Sequence, residues 1–125
     1  MSTHIQPKQS QLAFMKELPI DKPVVMINLL KFKKRTEDGK TTGQERYLEY
    51  SQKVMPFLQE SGGEIMFMSK SFSTLIGPEN ENWDHVVLVK YPNIGSFFKM
   101  IQSKDYPHTL RSSALEDSRL IPCIQ

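Results

Sequence analysis

Apolar and polar residues alternate along this chain with two periods, and the order of the two predicts a mixed α+β fold. Apolar residues at helical spacing indicate a short first helix over 7–18 and a long helix over 44–61, which ends at Gly62 and Gly63. Runs rich in β-branched and aromatic residues are typical of strands and lie at 24–32, 64–77 and 83–91.

The residue pattern in the carboxyl-terminal third of the chain predicts two more helical pieces and a last strand. Asn93 follows a proline and is expected to cap a helix, and Asp105 is expected to cap a second piece that runs through YPHTLRSSAL. The final SRLIPCI is expected to return as an edge strand, where Pro122 is tolerated. The strand pattern at 64–77 slips around 69–73, which predicts a bulge or a bend there.

The predicted order is one helix followed by β-α-β-β-α-β, the split arrangement of the ferredoxin-like α+β fold. Its four antiparallel strands form one layer, and both long helices cover the same face. The other face is left bare, so a second identical chain is expected to cover it and to form a dimeric α+β barrel. We therefore expect a single domain over 1–125, with a helical extension at 1–22 and the core at 23–122.

The alternation within the strands also predicts which side chains share a face. In the first strand Val25, Ile27 and Leu29 are all aliphatic, so we expect them beneath the helices and Asn28 on the opposite, barrel-facing side. In the third strand the more polar and aromatic positions are expected to face the barrel interior, namely Trp83, His85, Val87, Val89 and Tyr91.

Charge and composition narrow the choice of partners. The chain has 16 Lys and Arg against 14 Asp and Glu, a net charge of +2 that does not favour a nucleic-acid partner. It has no leader-like start and no apolar run long enough for a membrane span, so a cytoplasmic protein is expected. Cys123 is the only cysteine, and the three histidines lack metal-ligand spacing, so we expect neither a disulfide nor a metal nor a built-in cofactor.

Several segments together resemble a known family: PVVMINLLKF, YLEYSQKVMPFLQESGGEIMF, LIGPENENWDHVVLVKYPNIGSFFKMIQSKDY and RSSALEDSRLI. Over 23–122 the chain is similar to the domain-of-unknown-function family numbered 1330, a member of the dimeric α+β barrel superfamily. The resemblance implies the ferredoxin-like fold and a homodimer. Relatives of this architecture include cofactor-independent monooxygenases, muconolactone isomerases and haem-dependent peroxidases, so the resemblance implies no particular activity.

A few polar and aromatic residues are candidates for chemistry in the expected pocket. An imidazole can shuttle protons near neutral pH, so His85 could form an acid-base pair with Asn28, although a lone histidine is more often structural and a structural hydrogen bond is the default role of Asn28. Trp83 and Tyr91 could contact a flat ligand or simply fill the barrel.

The helices supply three further candidates. His108 and Arg111 are three residues apart and share a helix face. Arg111 could hold a carboxylate or an enolate, or it could clamp its own chain through Glu116 or Asp117. Tyr50 forms an i,i+3 pair with Tyr47, which packs by default but could place a hydroxyl at the pocket mouth.

Three hypotheses about function follow. The first is an enzyme without a cofactor that acts on a small aromatic or lactone-like compound by proton transfer or oxygenation. The second is a noncatalytic carrier for a hydrophobic metabolite, and the third is a structural dimer with a filled barrel. Because Trp83 is the only tryptophan, its emission is expected to report ligand binding if it lies in the pocket.

Overall fold

A computed structural model of the chain describes residues 3–125 and contains four helices, one short 3₁₀ turn and four strands. Residues 1 and 2 of the expected extension lie outside the described part. The elements in chain order are α1 (Gln9–Phe14), the 3₁₀ turn (Met15–Glu17), β1 (Val24–Phe32), α2 (Gly43–Glu60), β2 (Glu64–Lys70), β3 (His85–Tyr91), α3 (Ile94–Ile101), α4 (His108–Ala114) and β4 (Leu115–Cys123).

The four strands form one antiparallel sheet in the order β2-β3-β1-β4. The first strand therefore lies in the centre, between β3 and β4. Leu58 of α2 and Phe97 and Met100 of α3 pack with buried side chains of β1 and β3 in one hydrophobic core. Both helices thus cover the same face, and the predicted ferredoxin-like α+β fold is confirmed.

Local sequence signals explain where two of the helices begin. Thr42 caps α2, because its Oγ1 accepts from the Glu45 N–H while the Glu45 carboxylate accepts from the Thr42 N–H. Asn93 caps α3, as predicted, by accepting from the Ser96 N–H at 2.8 Å. The prediction for Asp105 is wrong, since this residue has a φ of 68° and α4 begins later, after Pro107.

The irregularity predicted for the second strand lies at a different place. The pairing of β2 with β3 shifts between Ile65 and Phe67, and β2 ends at Lys70. Residues 71–84 then form an irregular connection to β3. The apolar side chains beyond residue 70 therefore belong to this connection and not to a longer strand.

The residues of β1 and β3 point to the opposite faces of the sheet from those predicted from the sequence. Val24, Met26 and Leu30 are buried in the core beneath the helices, whereas Val25, Ile27 and Leu29 are half-buried on the other side. The reason is that both faces of β1 are apolar, so alternation alone does not distinguish them. In β3 the same reversal puts Val87, Val89 and Tyr91 beneath the helices, each opposite a core-facing residue of β1.

We call the uncovered side of the sheet the open face. Across the central strands it carries Val25, Ile27, Leu29, Val86 and Leu88, and towards the two edges it carries Phe67 and Ile121. These last two side chains are 54% and 46% exposed. The open face is thus an apolar surface of the kind that a second chain is expected to cover.

The amino-terminal extension is attached to the sheet by its backbone. The His4 N–H donates to the Asp117 carboxylate at 2.8 Å, and the His4 carbonyl oxygen accepts from the Ser118 hydroxyl at 2.6 Å. Helix α1 itself buries no side chain, and its Leu12 and Phe14 are 40% and 58% exposed. The apolar stripe predicted for this helix is therefore not docked within one chain.

Candidate functional site

All four tyrosines of the chain gather between the sheet and the helices. Tyr47 and Tyr50 come from α2, Tyr91 from the end of β3, and Tyr106 from the segment just before α4. We call these four residues the tyrosine cluster. Because three separate segments supply them, the fold and not the local sequence creates this site.

Close ring contacts and one hydrogen bond hold the cluster together. The rings of Tyr47 and Tyr50 are 5.2 Å apart, and those of Tyr50 and Tyr106 are 6.3 Å apart. The hydroxyl oxygens of Tyr50 and Tyr106 lie 2.6 Å from each other. Such tilted aromatic pairs are the arrangements that ring quadrupoles favour, so the cluster is a packed, ordered wall.

Burial governs the ionisation of the cluster. Removal from water raises the pKa of all four tyrosines, and neighbouring tyrosines raise those of Tyr47, Tyr50 and Tyr91 further. The Arg111 guanidinium acts in the opposite direction on each of them. The hydroxyls are therefore protonated at neutral pH, where they can donate hydrogen bonds but cannot act as bases.

Arg111 lies half-buried on α4 and has no counter-ion among the described residues. The predicted clamp to Glu116 or Asp117 is wrong. Asp117 pairs with Arg119 at 2.7 Å, and Glu116 pairs with Lys31 at 3.6 Å. The guanidinium thus stands beside the tyrosine cluster with its charge uncompensated.

Two hydroxyls of the cluster also lack a partner among the described residues. Within residues 3–125, the Tyr50 and Tyr106 hydroxyls bond to each other, but those of Tyr47 and Tyr91 have no hydrogen-bond partner. Tyr91 nevertheless packs its ring against Phe97 at 5.3 Å and is only 5% exposed. Two phenol hydroxyls and one guanidinium of the described residues therefore have unused hydrogen-bonding capacity.

His85 begins β3 on the helix side of the sheet, not in the barrel interior as predicted. Its ring lies 5.8 Å from that of Phe32, which in turn lies 5.4 Å from that of Tyr47. His85 also lines a concavity of about 380 Å³, which we call the basic pocket. The residues around it are Phe32, Lys33, Lys34, Thr42, Gln44, Lys70, Ser71, Asp84 and His85.

Asn28 is on the same face as His85, so the two proposed partners do share one side of the sheet. That side is again the helix side and not the barrel-facing side. The Asn28 amide nitrogen donates to the carbonyl oxygens of Val87 and Met26 at 3.2 and 3.4 Å. These backbone bonds explain how an amide is accommodated there, and they hold it in a fixed orientation.

Trp83 and His108 lie in different parts of the structure, Trp83 beside Arg119 and His108 beside Tyr106. The Arg119 guanidinium lies 4.9 Å from the centroid of the Trp83 ring, and Arg119 pairs with Leu29 on the open face. Trp83 is thus not grouped with His85 and Tyr91. His108 contacts the Tyr106 ring at 4.6 Å, and its Nε2 lies 2.7 Å from the Ile101 carbonyl oxygen.

The structure therefore brings together four of the residues singled out from sequence, namely Tyr50, Tyr91, Arg111 and His108. Tyr106 was not among the residues predicted for the site, and Tyr47 was expected mainly to pack. Their signal was compositional, since the chain has only four tyrosines and the fold places all of them together. That signal becomes visible only once the fold is known.

Over residues 3–125 there is no group of three or more His, Cys, Asp and Glu side chains arranged to hold a metal ion. In the same range no helix combines the length and apolar character that crossing a bilayer requires.

Comparison with known proteins gives one family match. A family model described as "Domain of unknown function (DUF1330)" matches residues 38–120. No curated protein matches the chain significantly.

Among solved structures, the chain is similar to RPA0582, a protein of unknown function from Rhodopseudomonas palustris. The identity is 33%, the TM-score is 0.90, and the alignment covers 99% of this chain and 98% of that one. The methylated form of RPA0582 gives 34% identity, a TM-score of 0.90 and coverages of 100% and 96%.

Two enzymes show more distant likeness. A hydroxynitrile lyase from Passiflora edulis has 15% identity, a TM-score of 0.50 and coverages of 84% and 94%. SnoaB, a cofactor-independent oxygenase from Streptomyces nogalater, has 11% identity, a TM-score of 0.49 and coverages of 83% and 91%. At such identity the likeness to the lyase concerns the fold, and it carries no activity over to this chain.

Proposed function

The chain belongs to the domain-of-unknown-function family DUF1330, and we propose from its site that it binds a small, flat organic molecule that carries a carboxylate or an enolate. Arg111 is the residue that pairs with the anionic group. The tyrosine cluster forms the wall against which the rest of the ligand packs. This assignment is finer than the family description, which names no function.

The uncompensated charge of Arg111 is the observation that carries the proposal. A half-buried guanidinium without a counter-ion is unfavourable, because part of its hydration is lost and nothing replaces it. Its planar fork of donors matches a carboxylate in a bidentate geometry. A ligand carboxylate would supply the counter-charge that Glu116 and Asp117 do not give, since both are engaged elsewhere.

The chemistry of the cluster supports binding of such a ligand. The unpartnered Tyr47 and Tyr91 hydroxyls can donate to a second oxygen of the ligand, and their raised pKa values keep them protonated. The aromatic rings favour a flat apolar body. None of the tyrosines can serve as a general base at neutral pH, so His85 is the candidate for any proton transfer, and Asn28 lies on the same face of the sheet.

Calorimetry with benzoate as the probe tests the proposal. Benzoate is expected to bind saturably, and benzamide, which has the same shape without the charge, is expected to bind at least about tenfold more weakly. Arg111→Gln should remove the difference between the two compounds. Arg35→Gln is the matched control, because Arg35 is exposed and lies outside the cluster. Equal binding of benzoate by the wild type and by Arg111→Gln would refute the proposal.

His85→Ala distinguishes an enzyme from a carrier. If the site catalyses proton transfer, the variant should keep its affinity for an aromatic acid while exchange of an acidic C–H of the ligand with deuterated water slows by about 10²-fold or more. In a carrier the wild type shows no catalysed exchange, and His85→Ala changes at most the affinity. Mass spectrometry of the ligand after incubation in deuterated water measures the exchange directly.

A further inference from the structure

We propose that the basic pocket is a second binding site, separate from Arg111, and that it takes the phosphate or carboxylate group of a small metabolite. This inference rests on the lysines of the pocket and not on Arg111, although His85 lines the pocket and borders the tyrosine cluster through Phe32. The pocket volume of about 380 Å³ lies in the range that small-molecule sites occupy. Inorganic phosphate and acetate are the simplest probes of its chemistry.

The backbone sets the positions from which the lysines reach this pocket. Lys70 of β2 lies directly opposite His85 of β3 in the sheet, so their side chains project to the same face. Lys33 is held at both backbone groups, since its N–H donates to the Ala114 carbonyl at 3.0 Å and its carbonyl accepts from the Gly43 N–H at 2.8 Å. The pocket is therefore built by the ends of three strands and the start of α2.

The charges of the pocket are mostly uncompensated. Lys34 and Lys70 have no ion pair within residues 3–125. Lys33 approaches Glu37 at 3.7 Å, but the Glu37 side chain is 92% exposed, so water screens this pair strongly. Three lysines thus surround one concavity with little local neutralisation.

Acidic groups near the pocket are already engaged. Asp84 is the single carboxylate among the lining residues, and its Oδ2 accepts from the Phe32 N–H at 2.8 Å. Glu45 lies in the first turn of α2, where its carboxylate accepts from Thr42. The net charge of the lining side chains is therefore positive, which favours an anion.

The start of α2 adds hydrogen-bond donors to this charge. Gln44 and Thr42 both line the pocket, and the Gln44 N–H has no acceptor among the residues that the structure describes. A free N–H in the first turn of an 18-residue helix favours an oxyanion. Three lysines and the first turn of α2 thus border the same concavity.

Nuclear magnetic resonance titration with sodium phosphate at constant ionic strength tests the inference. Saturable shifts are expected for the backbone amides of Gln44, Lys70 and Ser71. The double variant Lys34→Gln, Lys70→Gln should weaken phosphate binding by about tenfold. The matched control is Lys22→Gln, Lys53→Gln, which removes the same charge from exposed positions outside the pocket and should leave the affinity unchanged.

Phosphate titration of Arg111→Gln distinguishes this site from the Arg111 site. Phosphate binding that survives Arg111→Gln supports two sites, even if benzoate does not bind at all. Parallel titration with acetate ranks carboxylate against phosphate at the same lysines. Shifts that do not saturate, or equal weakening by both double variants, would show only nonspecific attraction to a cationic surface and would overturn the inference.

Discussion

The hydroxyl oxygens of Tyr50 and Tyr106 lie 2.6 Å apart, with Tyr50 in the long helix α2 and Tyr106 in the segment that leads into α4. The two hydroxyls satisfy each other in a place where burial raises the pKa of both side chains. The bond thus connects two elements that are 56 residues apart in the chain. It also positions α4, which carries Arg111.

Replacing either member of this pair with phenylalanine should lower the stability. We expect Tyr50→Phe or Tyr106→Phe to reduce the free energy of unfolding by about 1–2 kcal/mol, since one hydroxyl loses its partner. The double variant should lose less than the sum of the two, because it leaves no orphaned hydroxyl. Urea unfolding measures all three.

Tyr47→Phe is the control for this pair, because the Tyr47 hydroxyl has no partner among the described residues. Its stability should stay within about 0.5 kcal/mol of the wild type. Strict additivity of the two single losses would mean that the hydroxyls do not interact in solution.

Ionisation of the tyrosines should be coupled to unfolding at high pH. Their pKa values are raised in the folded chain above the ordinary value of 10.0. The folded state therefore holds these protons more tightly than the unfolded state does. The stabilisation is fully present below about pH 10 and is lost as the pH rises through the folded-state pKa values.

Phenolate absorbance and circular dichroism, followed together during alkaline titration, check this expectation. The absorbance should rise in one cooperative step that coincides with loss of the dichroism signal. Four phenols that titrate near pH 10 while the fold persists would contradict the burial of the cluster.

Neighbouring leucines on opposite faces of β1 should respond differently to truncation. Leu30 is fully buried beneath the helices, so Leu30→Ala should cost about 2–5 kcal/mol. Leu29→Ala on the open face should cost clearly less at concentrations where the chain is monomeric. Urea melts of the two variants, compared at low protein concentration, give the difference, and a larger loss for Leu29 would favour the register predicted from sequence.

The open face should mediate pairing of two chains. A homodimer is expected, because a two-fold partner would cover Ile27 and its neighbours with the same apolar surface, burying more than about 1,000 Å². Ile27→Lys places a charge in the middle of this face and should give a folded monomer in light scattering. Leu48→Lys, at an exposed position on α2, should leave the dimer intact. A wild type that scatters as a monomer at micromolar concentration would refute the expectation.

Most strand and helix positions were predictable because their periodicities are clear, apart from the end of β2 and the start of α4. Which face of the sheet meets the helices was not predictable. Val24, Met26 and Leu30 are as apolar as Val25, Ile27 and Leu29, so the hydrophobic pattern is the same for both orientations. Asn28 then biased the prediction, because a polar residue suggested the less buried side. In the structure two backbone carbonyls satisfy its amide within the core layer.

The candidate site was only partly predictable for a related reason. The Arg111 and His108 spacing is local and was read from one helix. The cluster around them depends on Tyr91 and Tyr106, which reach it through sheet register and an irregular segment. Strand pairing brings Lys31 of β1 to Glu116 of β4, and Asp117 and Arg119 are two residues apart on β4 and pair with each other, so neither carboxylate pairs with Arg111.

The separation of the aromatic residues gives this protein two independent optical signals. The sole tryptophan, Trp83, contacts Arg119 on the side of the sheet that a second chain would cover, whereas every tyrosine lies on the helix side. Dissociation of the expected dimer on dilution should therefore change the tryptophan emission. Binding of an aromatic acid at the proposed site should instead change the near-ultraviolet tyrosine signals, so the two predictions can be tested in the same cuvette without any added label.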